Sequence, residues 1–430
     1  MTFYLISLGC AKNLVDSEKL TGRLLEAGYT ITGDISDASL VIINTCGFIK
    51  EAQKEAIETI FAVIQEKPGD AKVLVFGCLV QRYRQELEKS IPEVDLFLPV
   101  LPYDELAKNI KQVFPPRKKN IKETSKIVFT PPSYTYIKIS DGCRNLCSYC
   151  TIPLIRGPLK SLPVEEIVHQ FRVALDKGVV EINLIAQDIT SYGTDLYGRP
   201  YLDMLLKKIL SLKKDFWLRL LYLYPSRISP EIVKIIKSDS RIVKYLDIPI
   251  QHVSNRILKL MNRDYTKELL IKKIDLLREK IPSVAIRTSL IVGFPSENED
   301  DFHEMQDFIQ RIRFDHLGVF EYSPEEETIA FSLKPRVAAV VKRKRKKLLM
   351  GIQKNLVRAK NMTLKGKFFP CLMELPVDEY GSVWTGRLPS QAPEVDGLVY
   401  VTGYRESFGE IIPVRIKDFK DYDLLAECAG

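Results

Sequence analysis

The stretch Asp141-Gly142-Cys143-Arg144-Asn145-Leu146-Cys147-Ser148-Tyr149-Cys150 decides how the rest of the chain is interpreted. Its three cysteines have the spacing CxxxCxxC and follow an apolar, strand-like run. Thiolates are soft ligands that favour iron–sulfur clusters, zinc or cuprous copper. A structural zinc site and an ordinary iron–sulfur cluster each take four protein ligands. Three cysteines therefore indicate a metal site with one open position. A zinc knuckle with a distant fourth ligand and three buried packing cysteines are the alternatives.

Size and composition indicate a protein of two or three domains. The chain has 430 residues and an apolar fraction of 46%, enough for sizeable cores. The formal net charge of +8 hints at an anionic partner without requiring one. We find no signal peptide and no apolar run of the roughly 20 residues that cross a bilayer. We therefore expect a cytoplasmic protein without membrane contact, in which grouped cysteines serve metal binding or catalysis.

A second group of three cysteines lies in residues 1–115. Three strand-like runs end beside Cys10, Cys46 and Cys78, and a helical pattern follows each run. We expect Asn13 or Asp16 to cap the first of these helices. Alternating strands and helices predict a parallel sheet, whose strands share one carboxyl edge where ligands bind. We therefore expect these cysteines to converge in a second three-thiol site. The alternative is that each is a small buried residue.

Residues 116–128 are basic and contain proline, which predicts a linker, and residues 129–360 form the next domain. Six strand-like runs alternate with helices there, which predicts an incomplete parallel (β/α)6 barrel with its chemistry at the strand carboxyl ends. Polar groups in or after these strands must be paired when buried. Either they hold an amphoteric cofactor or they pair with one another for structural reasons. These residues are Gln187, Asp188, Gln251 and Arg287, with His252 the best-placed histidine.

Residues 363–430 predict a small closed β-barrel of five short strands, a fold that often binds nucleic acid. Residues 364–430 contain seven basic and eleven acidic side chains, a net charge of −4, which leaves +12 for the remainder. An acidic barrel repels phosphate, so charge favours a basic protein partner. The helical run before it is rich in Lys and Arg, with six in succession from Lys342 to Lys347. That run is either a solvated face or an RNA-facing ridge.

The motifs together resemble a known family over essentially the whole chain. The CxxxCxxC spacing, with Tyr149 before the last cysteine, resembles the radical S-adenosylmethionine (SAM) motif. The segments Gly9-Cys10, Asn44-Thr45-Cys46-Gly47 and Gly77-Cys78 resemble the methylthiotransferase family. The segment from Ser7 to Glu18 is similar to the members that modify a ribosomal protein, whereas members that act on transfer RNA differ there. The resemblance implies an α/β protein with a flavodoxin-like N-terminal domain, a partial radical SAM barrel and a C-terminal TRAM β-barrel.

The resemblance also implies the cofactors and the reaction. Two 4Fe–4S clusters and SAM are expected, and a SAM-derived radical would activate the β-carbon of an aspartate in protein S-twelve of the small ribosomal subunit. Further partners are a flavodoxin- or ferredoxin-like electron donor, and the chain is expected to be a monomer. A transfer-RNA methylthiotransferase and a zinc-dependent RNA-binding protein are the alternatives. The implied site residues are Cys143, Cys147 and Cys150 for the radical SAM cluster, Cys10, Cys46 and Cys78 for the auxiliary cluster, and Tyr149, Gln187, Asp188, Gln251 and Arg287 for SAM.

Two loops depart from the family pattern. The usual Gly-Phe-Pro-Gly-Glu has Ser296 at its fourth position, and the usual Glu-Glu-Gly-Thr has Glu327 at its third. Serine and glutamate accept positive φ less readily than glycine. We therefore expect altered loop geometry there, without an effect on the cysteine ligands.

Overall fold

The computed structural model describes residues 1–116, 129–404 and 408–429, so the predicted linker lies almost entirely outside the described residues. The chain forms two compact units. The first consists of Met1–Phe129, Gly142–Arg144 and Cys150–Pro158, and the second of Thr130–Asp141, Asn145–Tyr149 and Leu159–Gly430. The boundary between the units therefore runs through the cysteine loop rather than through the linker alone.

The first unit is built on a parallel five-stranded sheet with the order β2-β1-β3-β4-β5, which is the flavodoxin-like order. Its strands are β1 (Thr2–Ser7), β2 (Thr30–Ile31), β3 (Leu40–Thr45), β4 (Lys72–Gly77) and β5 (Leu96–Leu98). Its helices are α1 (Ala11–Glu26), α2 (Lys50–Glu66), α3 (Cys78–Ser90), α4 (Tyr103–Val113) and the short α5 (Ile152–Arg156). Strand β3 is buried along its whole length because two apolar clusters cover the two faces of the sheet.

The second unit begins with a parallel six-stranded sheet with the order β13-β12-β11-β10-β9-β6, which confirms the predicted partial barrel. The sheet strands are β6 (Tyr134–Lys138), β9 (Glu181–Ile185), β10 (Trp217–Leu220), β11 (Ile242–Asp247), β12 (Ala285–Val292) and β13 (His316–Glu321), and β7 (Ser140–Asp141) pairs with β8 (Lys160–Ser161) beside them. The helices are α6 (Val164–Asp176), α7 (Thr194–Tyr197), α8 (Leu202–Leu210), α9 (Pro230–Ser238), α10 (Asn255–Leu260), α11 (Lys267–Lys280), α12 (Glu299–Ile312), α13 (Ile329–Ser332) and α14 (Ala339–Met362).

A closed five-stranded barrel with the order β14-β15-β16-β18-β17 completes the second unit, as predicted. Its strands are β14 (Phe368–Pro376), β15 (Val383–Arg387), β16 (Val399–Thr402), β17 (Ile411–Lys420) and β18 (Asp423–Cys428). The basic run lies in α14, where Arg345 is buried against Glu297 and Glu299 while most of the other basic side chains of the run are exposed. Among the described helices, none is long and apolar enough to span a bilayer.

Buried charges join the small barrel to the larger one. Glu181, the first residue of β9, lies 2.6 Å from both Arg219 of β10 and Arg387 of β15, and all three side chains are fully buried. Arg387 also pairs with Glu374 of β14 at 2.7 Å. Burial by itself would raise the pKa of Glu181, but the two arginines hold it below its ordinary value. The small barrel is therefore anchored to the beginnings of the sheet strands by ion pairs.

Both departures from the family loops have backbone dihedral angles in the left-handed region. Ser296 has φ of 69° and Glu327 has φ of 64°. The substituted residues thus adopt the left-handed conformation that glycine accepts more readily, and the expectation of altered loop geometry stays a prediction. Such a conformation costs a non-glycine residue about 1–2 kcal/mol.

Candidate functional site

The first three-thiol site lies at the carboxyl edge of the sheet in the first unit. Cys10, Cys46 and Cys78 directly follow, or lie within three residues of, the ends of the neighbouring strands β1, β3 and β4. Gly9, with φ of 94°, allows the first two loops to approach, because a Cβ there would lie 2.6 Å from the Cβ of Cys46. The structure therefore places these cysteines at three adjacent strand ends, as the sequence predicted.

A polar network surrounds these cysteines. Cys10 is the N-cap of α1, so the prediction that Asn13 or Asp16 caps this helix is wrong. Both residues instead lie inside the helix and bind Arg156 of α5, which donates to Asn13 Oδ1 at 2.7 Å and to Asp16 Oδ2 at 2.6 Å. Arg156 Nη2 is also 3.3 Å from the sulfur of Cys78. The sequence contained Arg156 only six residues after the last cysteine of the radical SAM motif, and its role was missed.

The chemistry of these thiols fits an iron–sulfur cluster. Burial raises the pKa of the Cys46 thiol to about 12, and it also raises the pKa of Cys78, although Arg156 opposes the effect there. A buried thiol loses its proton when a positive charge compensates the thiolate, and the iron of a bound cluster would supply that charge. The three cysteines are free and could hold a cluster with one open iron.

The middle of the CxxxCxxC loop, Asn145–Tyr149, is bonded to the end of α10 and the segment that follows it, all within the second unit. Ser148 donates through its Oγ to the Leu260 carbonyl at 2.7 Å, and Asn262 donates to the Leu146 carbonyl at 2.6 Å. Arg263 Nη1 donates to the sulfur of Cys147 at 3.4 Å. These contacts fix the middle of the loop from a segment more than 100 residues away, which local sequence patterns do not reveal.

One predicted SAM residue, Asp188, is bonded to this loop, and another, Tyr149, is part of it. Asp188 is buried and accepts a hydrogen bond from Asn145 at 3.0 Å, so it positions the residue between the first two cysteines. The same carboxylate also accepts from Thr190, Ser191 and Arg227, a set of bonds that uses most of its capacity. The ring of Tyr149 packs edge-on against Phe294, with 6.4 Å between the ring centroids.

The other predicted SAM residues have different surroundings. Gln187 directly follows Ala186 at the carboxyl end of β9 and is partly exposed, and Gln251 has φ of 64° and is bonded through its backbone to β12. Arg287 instead pairs with Asp396 of the small barrel at 2.8 Å, and His316 pairs with the same carboxylate at 3.1 Å. The structure therefore places Arg287 in the junction between the barrels.

His252, the best-placed histidine by sequence, is fully buried. Its Nδ1 accepts from the Ser254 backbone at 3.1 Å, and its Nε2 lies 3.4 Å from Glu297. Glu297 in turn accepts from the backbone of Gly293 and Phe294. The histidine thus lies beside the carboxylate that binds the loop carrying Phe294, and Phe294 packs against Tyr149.

In the described part of the chain, no three His, Cys, Asp or Glu side chains lie close enough to hold a metal ion. Each iron of a 4Fe–4S cluster takes its own thiolate, so the cysteines of a cluster need not converge on one point. Convergence on a single point is therefore not required of either cysteine group.

Three family models match the chain. Residues 2–99 match the uncharacterized protein family UPF0004, residues 137–309 match the radical SAM superfamily, and residues 366–429 match the TRAM domain. A solved structure of the radical SAM methyltransferase TsrM from Kitasatospora setae has a similar fold, with a TM-score of 0.55 at 14% identity over 75% of this chain and 73% of that one. The family-model matches define the class as a radical SAM enzyme, which uses an iron–sulfur cluster and SAM as its cofactors.

Curated relatives narrow the class to one family. Ribosomal protein uS12 methylthiotransferase RimO from Acetivibrio thermocellus is 43% identical over 98% of this chain and 97% of its own length. RimO from Aquifex aeolicus is 42% identical over 99% of this chain and 96% of its own length. RimO from Geobacter sulfurreducens is 43% identical over 98% of this chain and 97% of its own length. The chain belongs to the RimO family of radical SAM methylthiotransferases.

Proposed function

We propose that this enzyme adds a methylthio group to the β-carbon of an aspartate in ribosomal protein uS12, using two 4Fe–4S clusters. The substrate follows from the names of the relatives. The observation that carries the two-cluster reaction is the second cysteine group. Cys10, Cys46 and Cys78 lie at adjacent strand ends of one compact unit, and that unit also contains Cys143 and Cys150.

The chain's own residues would hold and orient the cofactors. Cys143, Cys147 and Cys150 would bind the cluster that works with SAM, and Cys10, Cys46 and Cys78 would bind the auxiliary cluster. When bound, the first cluster and SAM would supply the radical chemistry that removes a hydrogen atom from an unactivated carbon, and the auxiliary cluster would supply a sulfur-bearing group for the product. No side-chain base could remove such a hydrogen as a proton at neutral pH.

Several polar contacts would keep the cysteine loop in one conformation during the reaction. Asp188 holds Asn145, and Ser148 is bonded to the Leu260 carbonyl. Tyr149 and Gln251 are proposed to contact SAM, since Tyr149 lies within the loop and Pro249, two residues before Gln251, is bonded to Arg263 beside Cys147. An electron donor of the flavodoxin or ferredoxin kind would supply the reducing equivalents.

The small barrel favours a basic protein as the substrate. Some of its acidic residues are used internally, since Glu374 and Asp396 pair with arginines. The turn between β14 and β15 nevertheless presents acidic and apolar side chains together. Leu375, Val377 and Tyr380 are 45%, 54% and 83% exposed, next to Asp378 and Glu379. Such a surface suits a basic partner with some apolar contacts and repels a phosphate backbone.

The decisive experiment offers the anaerobically reconstituted enzyme both uS12 and transfer RNA, with SAM and a reductant. We expect a methylthio mass increase on a uS12 aspartate and none on transfer RNA. A mass increase on transfer RNA alone would replace the proposal with the transfer-RNA alternative. Iron and sulfide analysis of the same protein should give two clusters, and replacing Cys143, Cys147 and Cys150 with alanine should leave one cluster and no SAM cleavage.

A further inference from the structure

We propose that Arg156 and Arg263 tune the reduction potentials of the two clusters, each by donating a hydrogen bond to one ligand thiolate. The inference rests on the two-cluster function proposed above. In each of the two cysteine groups, one sulfur has an arginine donor: Cys78 has Arg156 at 3.3 Å, and Cys147 has Arg263 at 3.4 Å. Neither arginine is part of a cysteine motif, and each reaches its sulfur from a different segment.

The Arg156 guanidinium is fixed by contacts on both sides of its fork. Nη1 binds Asp16 at 2.6 Å and Nη2 binds Asn13 Oδ1 at 2.7 Å, and the side chain is only 4% exposed. Asp16 is itself held by the hydroxyl of Tyr103 at 2.7 Å. Because its other partners hold the guanidinium in place, its N–H donor stays directed at the sulfur of Cys78 without a further loss of side-chain entropy.

Arg263 is fixed in a different way. Its Nε donates to the Tyr265 hydroxyl at 2.6 Å, its Nη2 donates to the Pro249 carbonyl at 2.8 Å, and its guanidinium lies 4.3 Å from the centroid of the Tyr224 ring. These partners are formally neutral, whereas Asp16 balances the charge of Arg156. The positive charge of Arg263 should therefore act more strongly on the sulfur of Cys147 than the charge of Arg156 acts on the sulfur of Cys78.

The physical effect of both arginines follows from the charge of a cluster. Reduction adds an electron to a cluster that its thiolates already make negative, and hydrogen bonds to the sulfurs stabilise the reduced form. Removing a donor should therefore lower the potential. For Arg263 we expect about a tenfold fall in the ratio of reduced to oxidised cluster at a fixed potential, which is 59 mV for one electron. For Arg156 we expect a smaller fall in the same direction.

The test uses two full-length proteins that each keep one cluster. One carries alanine at Cys143, Cys147 and Cys150, and the other carries alanine at Cys10, Cys46 and Cys78. Arg156→Gln is made in the first protein and Arg263→Gln in the second, and potentials are measured by EPR-monitored redox titration without SAM or substrate.

Two matched controls accompany these variants. Arg263→Gln in the protein that keeps only the auxiliary cluster should leave its potential unchanged. Tyr265→Phe removes a partner of Arg263 but keeps the arginine, so it should shift the potential of the radical SAM cluster much less than Arg263→Gln does.

Iron and sulfide content separates the possible failures. If each protein holds its cluster and neither arginine variant lowers the potential, the tuning proposal is wrong while the two-cluster function stands. If the first protein binds no iron, the two-cluster function is wrong, and the role of Arg156 falls with it. Labelling with 15N-arginine provides a measurement that needs no arginine variant. Pulsed EPR should then detect a coupled 15N nucleus at each reduced cluster, and absence of coupling at both would also overturn the proposal.

Discussion

Removing Arg387 should destabilise the protein far more than removing an exposed arginine from the same small barrel. Arg387 is fully buried and pairs with both Glu374 and Glu181. Glu181 also pairs with Arg219. Arg387→Met leaves buried carboxylate charge without compensation, a change that typically costs about 3–5 kcal/mol. With an m-value of about 3 kcal/mol/M, this loss lowers the urea midpoint by about 1–1.7 M.

Urea unfolding followed by tryptophan fluorescence can measure this loss. The chain has two tryptophans, Trp217 in the large barrel and Trp384 in the small one, so the signal reports on both sides of the junction. Arg415→Met is the matched control, because Arg415 is 47% exposed and lies 3.8 Å from Glu427. An exposed pair of this kind contributes about 0–1 kcal/mol.

A second variant separates lost packing from stranded charge. Glu181 keeps Arg219 in Arg387→Met, whereas Glu374 loses the arginine with which it pairs. Adding Glu374→Gln removes that carboxylate charge and should recover about 1–3 kcal/mol of the loss. The reasoning about buried charge is refuted if Arg387→Met lowers the midpoint no more than Arg415→Met does. It is also refuted if the double variant is no more stable than the single one.

Three further outcomes are expected. Glu327→Gly should stabilise the protein by about 0.5–1 kcal/mol in urea unfolding, because glycine relieves the strain at φ of 64° but makes the unfolded chain more flexible. Glu326→Gly at the neighbouring position should destabilise the protein. A loss of stability in both variants would contradict the strain argument. Tyr380→Ala removes the most exposed of the large apolar side chains in the described part of the small barrel. It should weaken binding of uS12 by about tenfold in calorimetry, with folding unchanged by circular dichroism. Unchanged affinity would exclude this turn as a docking site. Because the pKa of Glu181 is below its ordinary value in the folded protein, its contribution is complete above about pH 4.3 and is lost as the pH falls through the lower folded pKa. The stability difference between wild type and Glu181→Gln should therefore shrink on acidification below pH 4.3, and a difference independent of pH would show that the charge of Glu181 is not responsible.

The sequence predicted the features that depend on local patterns. The six strands of the large barrel and the five of the small one follow from runs of apolar residues between turn signals, and the cysteine positions follow from the parallel topology. In the first sheet, the short strands β2 and β5 were missed because two or three residues carry too little periodicity.

Partners of charged residues could not be predicted in the same way. Arg287 reads as a cofactor-binding residue because a charge within a strand needs a partner, but that partner can come from any part of the chain. The structure supplies Asp396, more than 100 residues later. Arg156 was missed for the same reason, since its partners Asn13 and Asp16 are some 140 residues earlier.

The assignment of Cys150–Pro158 to the first compact unit has a consequence for how this domain can be moved between proteins. The matched family model ends at residue 99, yet a gene fragment cut there or at the linker would lack Arg156. Asp16, with its side chain 7% exposed, would then lose its ion pair with Arg156. The N-terminal domain therefore loses a buried ion pair if recombination transfers it to another protein by itself. A fragment that keeps the contact between Asp16 and Arg156 must also include Cys150–Pro158.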